Sequence, residues 1–174
     1  LIRQSYFTDP GPAATGISLP RFAQAGLMTK IAVTAMRSAE HENAQDNLTR
    51  QYSWPEGHWN WTVQLPYKHG NRCGRLIHLG GQVSLDSDGQ VIDPDDIVAQ
   101  TRTAMNNIAK VLAELGATLD HIVKVTTFYE GQAGVDELHQ NLQVRSSAFS
   151  KPGPATSGIP VPSLVYENMR IEIE

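Results

Sequence analysis

A stretch near the start of the chain recurs near its end without a gap. RQSYFTDPGPAATGISLP, residues 3–20, matches RSSAFSKPGPATSGIPVP, residues 145–162, at ten positions. Internal repetition constrains the fold strongly, because each repeat is a structural unit that buries its core together with a neighbouring unit. The first copy begins at Arg3, so little of the unit that should precede it is present. We therefore expect the tail of one repeat followed by one nearly whole repeat.

This interpretation divides the chain into three segments. Residues 1–37 are the C-terminal tail of a preceding repeat, 38–60 are a linker, and 61–174 are a nearly complete domain. The tail ends in GLMTKIAVTAM, 26–36, whose β-branched and apolar residues predict a strand. The linker is polar before SWPEGHWNW, 53–61, a run that forms either an aromatic cage or amphipathic packing at a domain entry or subunit contact. The tail is expected to complete its fold with an upstream segment or another polypeptide.

Composition excludes several classes of protein. Hydrophobic residues at 40% and charged residues at 18% are typical of a folded globular chain. A net charge of −4 without a Lys/Arg cluster argues against nucleic-acid binding, and no apolar run approaches the roughly 18 residues of a membrane helix. The single cysteine, Cys73, excludes an internal disulfide framework and favours a reducing compartment such as the cytoplasm. Without a metal-binding or phosphate-binding motif, we expect no cofactor and no metal.

Hydrophobic spacing predicts an α+β fold. RLIHLGGQ, 75–82, is typical of a buried strand, and Asp88-Gly89 suits the turn of a hairpin. Asp93 as cap and Pro94 at the first position predict a helix whose apolar residues recur at helical spacing as far as Leu115. The remaining elements are a strand over 121–129, a helix over 135–149, a PGPATSGIPVP loop, and a strand over 163–174. The order β–β–α–β–α–β predicts two helices packed on one face of a mixed sheet.

Residues 61–174 resemble the RidA/YjgF family, also known as L-PSP or enamine/imine deaminases. Pro66-Tyr67 is followed after twelve residues by Gly80-Gly81-Gln82, the spacing of the family's Pro-Tyr and Ser-Gly-Gln. Three further segments match the family: QTRTAMNN, VKVTTFY, and PATSGIPVPSL followed by IEI. The resemblance implies a chorismate-mutase-like topology and a barrel-type trimer with sites between subunits. It therefore implies a homo-oligomer, a trimer or a hexamer, that binds a small-molecule ligand.

The resemblance also implies the site. In the deaminases an arginine in a Pro-Ala-Arg-Ser loop clamps the substrate carboxylate, and a glutamate in the final strand positions the hydrolytic water. Thr156 stands at the arginine position, and Gly80 stands at the serine of the turn. Carried over, the candidate catalytic residues are Glu172 and Tyr67, and the candidate substrate-binding residues are Gly80, Gly81, Thr156 and Ser157.

The missing arginine leaves two functions open. An arginine–carboxylate pair contributes roughly 1.5–3 kcal/mol, and a threonine hydroxyl cannot neutralise a bound acid. The first copy has Ala14 at the arginine position, and Ala32 stands at the glutamate position if residues 31–33 align with 171–173 after a two-residue insertion. One hypothesis is an enzyme that hydrolyses an imine, enamine or related substrate with Glu172 as general base. The other is a non-catalytic ligand-binding or assembly module. On the enzyme hypothesis, Thr156→Arg is expected to raise binding of small carboxylates such as 2-oxobutanoate.

Overall fold

The structure, a computed structural model, describes residues 5–36, 49–61, 65–131, 133–150 and 152–174. Within these residues six strands and two α-helices form. In chain order they are β1 Arg50–Ser53, β2 Gly70–Cys73, β3 Leu76–Leu79, α1 Ile97–Glu114, β4 Lys124–Glu130, α2 Val135–Ser147, β5 Ala155–Val161 and β6 Ile171–Ile173. A single 3₁₀ turn, Leu119–His121, precedes β4.

The strands form two three-stranded sheets that meet at one residue pair. β1, β2 and β3 are antiparallel in that order, whereas β4 lies between β5, to which it is parallel, and β6, to which it is antiparallel. Gln82, just beyond β3, exchanges two backbone hydrogen bonds with Ile173 of β6, at 2.8 and 3.0 Å. This pair joins the sheets and brings the segment after β3 against β6.

The N-cap of helix α1 lies three residues after the predicted one. Asp96 is the cap, because its Oδ1 accepts hydrogen bonds from the backbone N–H groups of Val98 and Ala99 at 3.0 and 2.9 Å. Asp93 instead has a φ of +53°, outside the helical region, and its carbonyl accepts a bond from the side chain of Gln100. The predicted helix is confirmed, but the choice of Asp93 as cap is wrong.

The main core lies between α1 and the β5-β4-β6 sheet. Its buried apolar residues are Ile97, Ala104, Met105, Ile108 and Leu112 from α1 and Val125, Ile171 and Ile173 from the sheet. Helix α2 packs beside α1, where the side-chain amide of Asn141 donates to the hydroxyl of Thr101. Both helices therefore cover one face of a mixed sheet, which confirms the α+β prediction. The Asp88-Gly89 turn is also confirmed, since Gly89 has a φ of +77° and its N–H donates to Asp86.

The last part of the chain differs from the prediction. The predicted PGPATSGIPVP loop contains strand β5, because residues from Ala155 to Val161 pair in parallel with β4 along its whole length. Proline and glycine are tolerated there since β5 is an edge strand of its sheet. The predicted final strand over 163–174 is only three residues long, Ile171–Ile173.

The N-terminal part also differs. No strand forms over residues 26–36, where Met28, Ile31 and Val33 expose 93%, 67% and 72% of their side chains. A strand is stabilised by pairing with a neighbour, and none of the described strands pairs with this segment. The segment interpreted as linker, 38–60, contains strand β1, which pairs with β2. Residues 38–48 of that segment lie outside the described residues.

Candidate functional site

Glu172 lies at the centre of β6, on the sheet face that the helices do not cover. Successive strand residues point to opposite faces, and its neighbours Ile171 and Ile173 belong to the core under α1. Glu172 is 6% exposed, and its carboxylate makes no hydrogen bond to the described part of the chain. Burial, with a smaller contribution from the charge of Glu174, raises the pKa of Glu172 to about 7. The carboxyl group is therefore close to half ionised at neutral pH.

The turn after β3 places two glycines beside this carboxyl group. A Cβ at Gly81 would lie 1.8 Å from Oε1 of Glu172, so glycine alone allows the carboxylate to approach the turn. A Cβ at Gly80 would lie 2.6 Å from the carbonyl oxygen of Ala14. The turn is braced by the side-chain amide of Gln82, which donates to the carbonyl of Gly80 at 3.0 Å. The side chain of Glu172 approaches one glycine and the backbone of Ala14 approaches the other, which together explain the glycine pair.

The other wall is the first copy of the repeated loop. The N–H of Gly11 donates to the carbonyl of Pro66 at 2.7 Å, and the N–H of Lys68 donates to the carbonyl of Pro12 at 3.3 Å. The N–H of Gly81 donates to Oγ1 of Thr15 at 2.9 Å. Residues 11–15 are thereby held against the domain from the same chain. We call Glu172, Gly80, Gly81, Ala14 and Thr15 the Glu172 site.

Tyr67 packs against the same N-terminal segment. It is 6% exposed, and its ring centroid is 6.3 Å from that of Phe7. The next residue, Lys68, pairs with Asp9 at 2.8 Å. Of the residues predicted from the sequence, Gly80, Gly81 and Glu172 are brought together, and Tyr67 is connected to them through the N-terminal segment.

Thr156 and Ser157 lie elsewhere in the same chain. Thr156 is opposite Val125 on the helix-covered face, and its hydroxyl accepts a hydrogen bond from Arg145 at 3.3 Å. Ser157 accepts from Nζ of Lys124 at 2.6 Å, and β4 separates both residues from β6. Within one chain these two residues do not join Glu172, because β5 is on the far side of β4. The sharing of a pocket across subunits stays a prediction.

Sequence reasoning missed that the first copy supplies the site's second wall. Thr15 and Ala14 correspond by the repeat to Ser157 and Thr156. The signal was present, since a family in which this loop reaches a neighbouring unit would place the first copy against the following domain. The alanines at the family positions of the first copy, Ala14 and Ala32, instead favour a purely structural role.

The tryptophan run does not form an open cage. The ring of His69 occupies its centre, with ring centroids 4.9 Å from Trp54, 4.5 Å from Trp59 and 5.1 Å from Trp61. His69 is 1% exposed, and burial lowers its pKa to about 4, so the imidazole is neutral at physiological pH. The cluster is therefore packing within the domain, as the second alternative predicted for a domain entry.

Comparison with known proteins identifies relatives of the domain. The family model described as Endoribonuclease L-PSP matches residues 61–174. A RutC family protein of Pyrococcus abyssi is 30% identical over 63% of this chain and 83% of its own length. The 2-iminobutanoate/2-iminopropanoate deaminase of Mus musculus is 28% identical over 63% of this chain and 78% of its own.

The fold agrees with these relatives. The solved structure of the protein YjgH superposes with a TM-score of 0.61 at 28% identity, and the match covers 71% of this chain and 92% of that one. Among the described helices none is both long and apolar enough to cross a membrane. Since the family model covers residues 61–174, about two thirds of the sequence, the chain belongs to the RidA/YjgF/L-PSP family.

Proposed function

We propose that the domain binds a small molecule at the Glu172 site and hydrolyses an imine, an enamine or a related substrate. The observation that carries the proposal is the buried carboxyl group of Glu172, with a pKa of about 7, against the Gly81 turn. A carboxyl group with this pKa is present in both protonation states at neutral pH, as a group that takes up and returns a proton must be. The similarity to the mouse deaminase supports the same chemistry.

The proposed hydrolysis needs only the substrate, a water molecule and the carboxyl group of Glu172. Ionised Glu172 accepts a proton from a water molecule while the water oxygen bonds to the imine carbon and the C=N π electrons move to nitrogen. Glu172 returns this proton to nitrogen, which gives the carbinolamine. It then takes the proton of the new hydroxyl group and passes it to nitrogen, so that the carbonyl forms as the C–N bond breaks and ammonia leaves. A protonated imine is a cation, so the negative charge of Glu172 also favours its binding. The hydroxyl of Thr15 accepts from Gly81 and keeps its own O–H to donate to the bound molecule.

The substrate class follows from the residues around the carboxyl group. Ala14 and Gly80 carry no charge, so the Glu172 site itself has no cation that could pair with a substrate carboxylate. An anionic substrate would meet the negative charge of Glu172 and, nearby, of Glu174. The expected substrate is therefore a neutral or cationic imine rather than an imino acid.

One observation favours the second candidate, a non-catalytic module. Residues 11–15 already pack on the Pro66–Lys68 segment and the glycine turn, so the first copy also acts as an assembly contact. Whether the domain is an enzyme or a non-catalytic module, we propose that such chains form a trimer or hexamer. We also propose that they act in the cytoplasm, because the single Cys73 favours a reducing compartment.

The test is release of ammonia from a panel of freshly generated neutral imines and imino acids. We expect the wild type to hydrolyse a neutral imine and Glu172→Gln to lose about 10²-fold or more in kcat/KM. The rate should rise with pH through about 7, because the ionised carboxylate is the base. The matched control is Glu174→Gln, an exposed neighbour whose charge raises the pKa of Glu172. It should retain activity and move the profile to lower pH.

Equal inactivity of the wild type and Glu172→Gln on every substrate would leave only the non-catalytic module. Equal activity of the two would show that Glu172 is not the base. Circular dichroism of both glutamine variants checks that the fold is unchanged.

A further inference from the structure

A second ionisable side chain lies on the opposite face of the same sheet. The guanidinium of Arg145, on α2, donates from Nε to Oδ1 of Asn141 at 2.9 Å and from Nη1 to the hydroxyls of Thr127 and Thr156 at 2.8 and 3.3 Å. All of these partners are neutral. Among the described residues no carboxylate pairs with Arg145, and its Nη2 group makes no hydrogen bond.

The partly buried guanidinium of Arg145 is unfavourable in free energy when no anion pairs with it. Burial lowers the pKa of Arg145, and no neighbouring carboxylate opposes that effect. A partly buried guanidinium loses hydration, and a charge so placed is ordinarily paired or bound to a ligand. Thr127 and Thr156 hold the planar group in one orientation, which leaves the two N–H bonds of Nη2 to donate.

An apolar cavity opens beside the guanidinium. Its volume is about 110 Å³, and its apolar walls include Met105, Val125, Leu142 and Phe149. Thr156 and Arg145 supply the polar part of the lining. A cavity of this size has the volume of about four water molecules, at about 30 Å³ each in the liquid, which suits a chain of about four carbon atoms. One cation in an otherwise apolar pocket selects an anionic head and a short apolar tail.

The internal repeat preserves residues that line this cavity, but it does not preserve the residue at the position where the deaminases carry arginine. The residues Arg145, Phe149, Gly153 and Pro154 line the cavity and recur in the first copy as Arg3, Phe7, Gly11 and Pro12. The loop position where the deaminases carry arginine differs between the copies, being Ala14 in one and Thr156 in the other. Arg3 lies outside the described residues. A charged residue retained in both copies is not explained by packing of apolar side chains.

We propose that Arg145 and the cavity between α2 and β5 bind a short-chain aliphatic monocarboxylate. The carboxylate accepts from the guanidinium and the hydroxyl of Thr156, and the alkyl chain contacts Leu142 and Phe149. This site is separate from Glu172, because Val125 and Thr127 face the helices whereas Glu172 faces the other side of the sheet. It therefore stands or falls independently of the proposed hydrolysis.

The test is calorimetric titration of the full chain with butanoate, with butanamide as the uncharged probe of the same shape. We expect butanoate to bind with a dissociation constant on the order of 1 mM and butanamide to bind at least about tenfold more weakly. Arg145→Gln should weaken butanoate binding at least about tenfold. Arg102→Gln, which removes an exposed arginine of α1, should leave it unchanged.

A second variant keeps the proposal falsifiable if Arg145→Gln does not fold. Gly153 lines the cavity, and a Cβ there would meet the ring of Phe149 at an ordinary 3.4 Å. Gly153→Leu thus fills the cavity without removing the guanidinium, and it should also weaken butanoate binding at least about tenfold. Unchanged affinity in folded Arg145→Gln or in Gly153→Leu overturns the proposal, as does no binding to the wild type. Loss of binding in Glu172→Gln alone would assign the carboxylate to the other face and overturn it too.

Discussion

The two copies of the PGPA loop have nearly the same sequence and different surroundings. In the first copy Gly11 approaches the backbone of Pro66 so closely that a Cβ would lie 2.7 Å from its carbonyl oxygen. At the equivalent Gly153 a Cβ would meet only the Phe149 ring, at 3.4 Å. The first copy is therefore a wall of a site in the following domain, whereas the second is the beginning of an edge strand.

The same difference holds for the hydroxyl residue of the loop. Thr15 accepts a hydrogen bond from the backbone of Gly81, beside Glu172. Its counterpart Ser157 accepts one from the exposed side chain of Lys124. The repeat thus preserves a hydroxyl oxygen that accepts a hydrogen bond, while its place in the chain decides which group donates to it. Each difference between the copies can be tested by substituting the equivalent residue in both.

The largest effect is expected from alanine at the paired glycines. Gly11→Ala forces the loop away from Pro66, because the added methyl group would overlap a backbone oxygen that cannot rotate aside. Overpacking of this kind costs about 1–3 kcal/mol. Hydrogen exchange at the amides of Lys68 and Gly81, which donate to the first copy, should accelerate about tenfold or more.

Gly153→Ala is the matched control and should leave these two amides unchanged. The result would be contradicted if both alanine variants accelerated exchange equally, or if neither did. In that case the first copy would not be held against the domain in the way the hydrogen bonds indicate.

Much of the fold was predictable from local patterns. The helical spacing from Ile97 to Leu115 and the Asp88-Gly89 turn both depend on neighbouring residues alone, and both are confirmed. The helix cap was misplaced because three aspartates, Asp93, Asp95 and Asp96, offer a carboxylate within four residues. Only the backbone conformation selects Asp96, because the φ angles of Asp93 and Asp95 are positive.

The site was less predictable, because its parts are distant in sequence. Family spacing located Glu172 and Gly81, but not that they touch, nor that Thr15 completes the contact. Strand β5 was missed since its prolines and glycines are typical of a loop, and only pairing with β4 explains them. Arg145 was seen as part of the repeat, but the sequence gives no sign that its charge lacks a carboxylate.

A smaller effect is expected from restoring the arginine to the loop. Ala14→Arg places a guanidinium in the copy that contacts Gly80 of the same chain, whereas Thr156→Arg places one beside the cation of Arg145. In an Arg145→Gln background, Ala14→Arg should raise the affinity for 2-oxobutanoate about tenfold, consistent with one charge-assisted pair. Calorimetric titration measures the gain.

Thr156→Arg in the same background separates two outcomes. No gain shows that the Glu172 site uses the first copy of its own chain. A gain that equals that of Ala14→Arg shows that β5 reaches the Glu172 site of a second molecule, as the family resemblance predicts for an oligomer. It would also contradict the assignment of the first copy as the wall.

The smallest effect is expected from removing the loop hydroxyls. Thr15→Val keeps the shape of the side chain but leaves the N–H of Gly81 without its acceptor, in a partly buried position. An unsatisfied donor of this kind costs about 1 kcal/mol or somewhat more. Ser157→Ala removes only an exposed bond with Lys124, which contributes about 0–1 kcal/mol. Urea denaturation should show a lower midpoint for Thr15→Val than for Ser157→Ala. Equal midpoints, with unchanged exchange at Gly81, would show that water replaces the threonine and that the first copy is held by its backbone contacts alone.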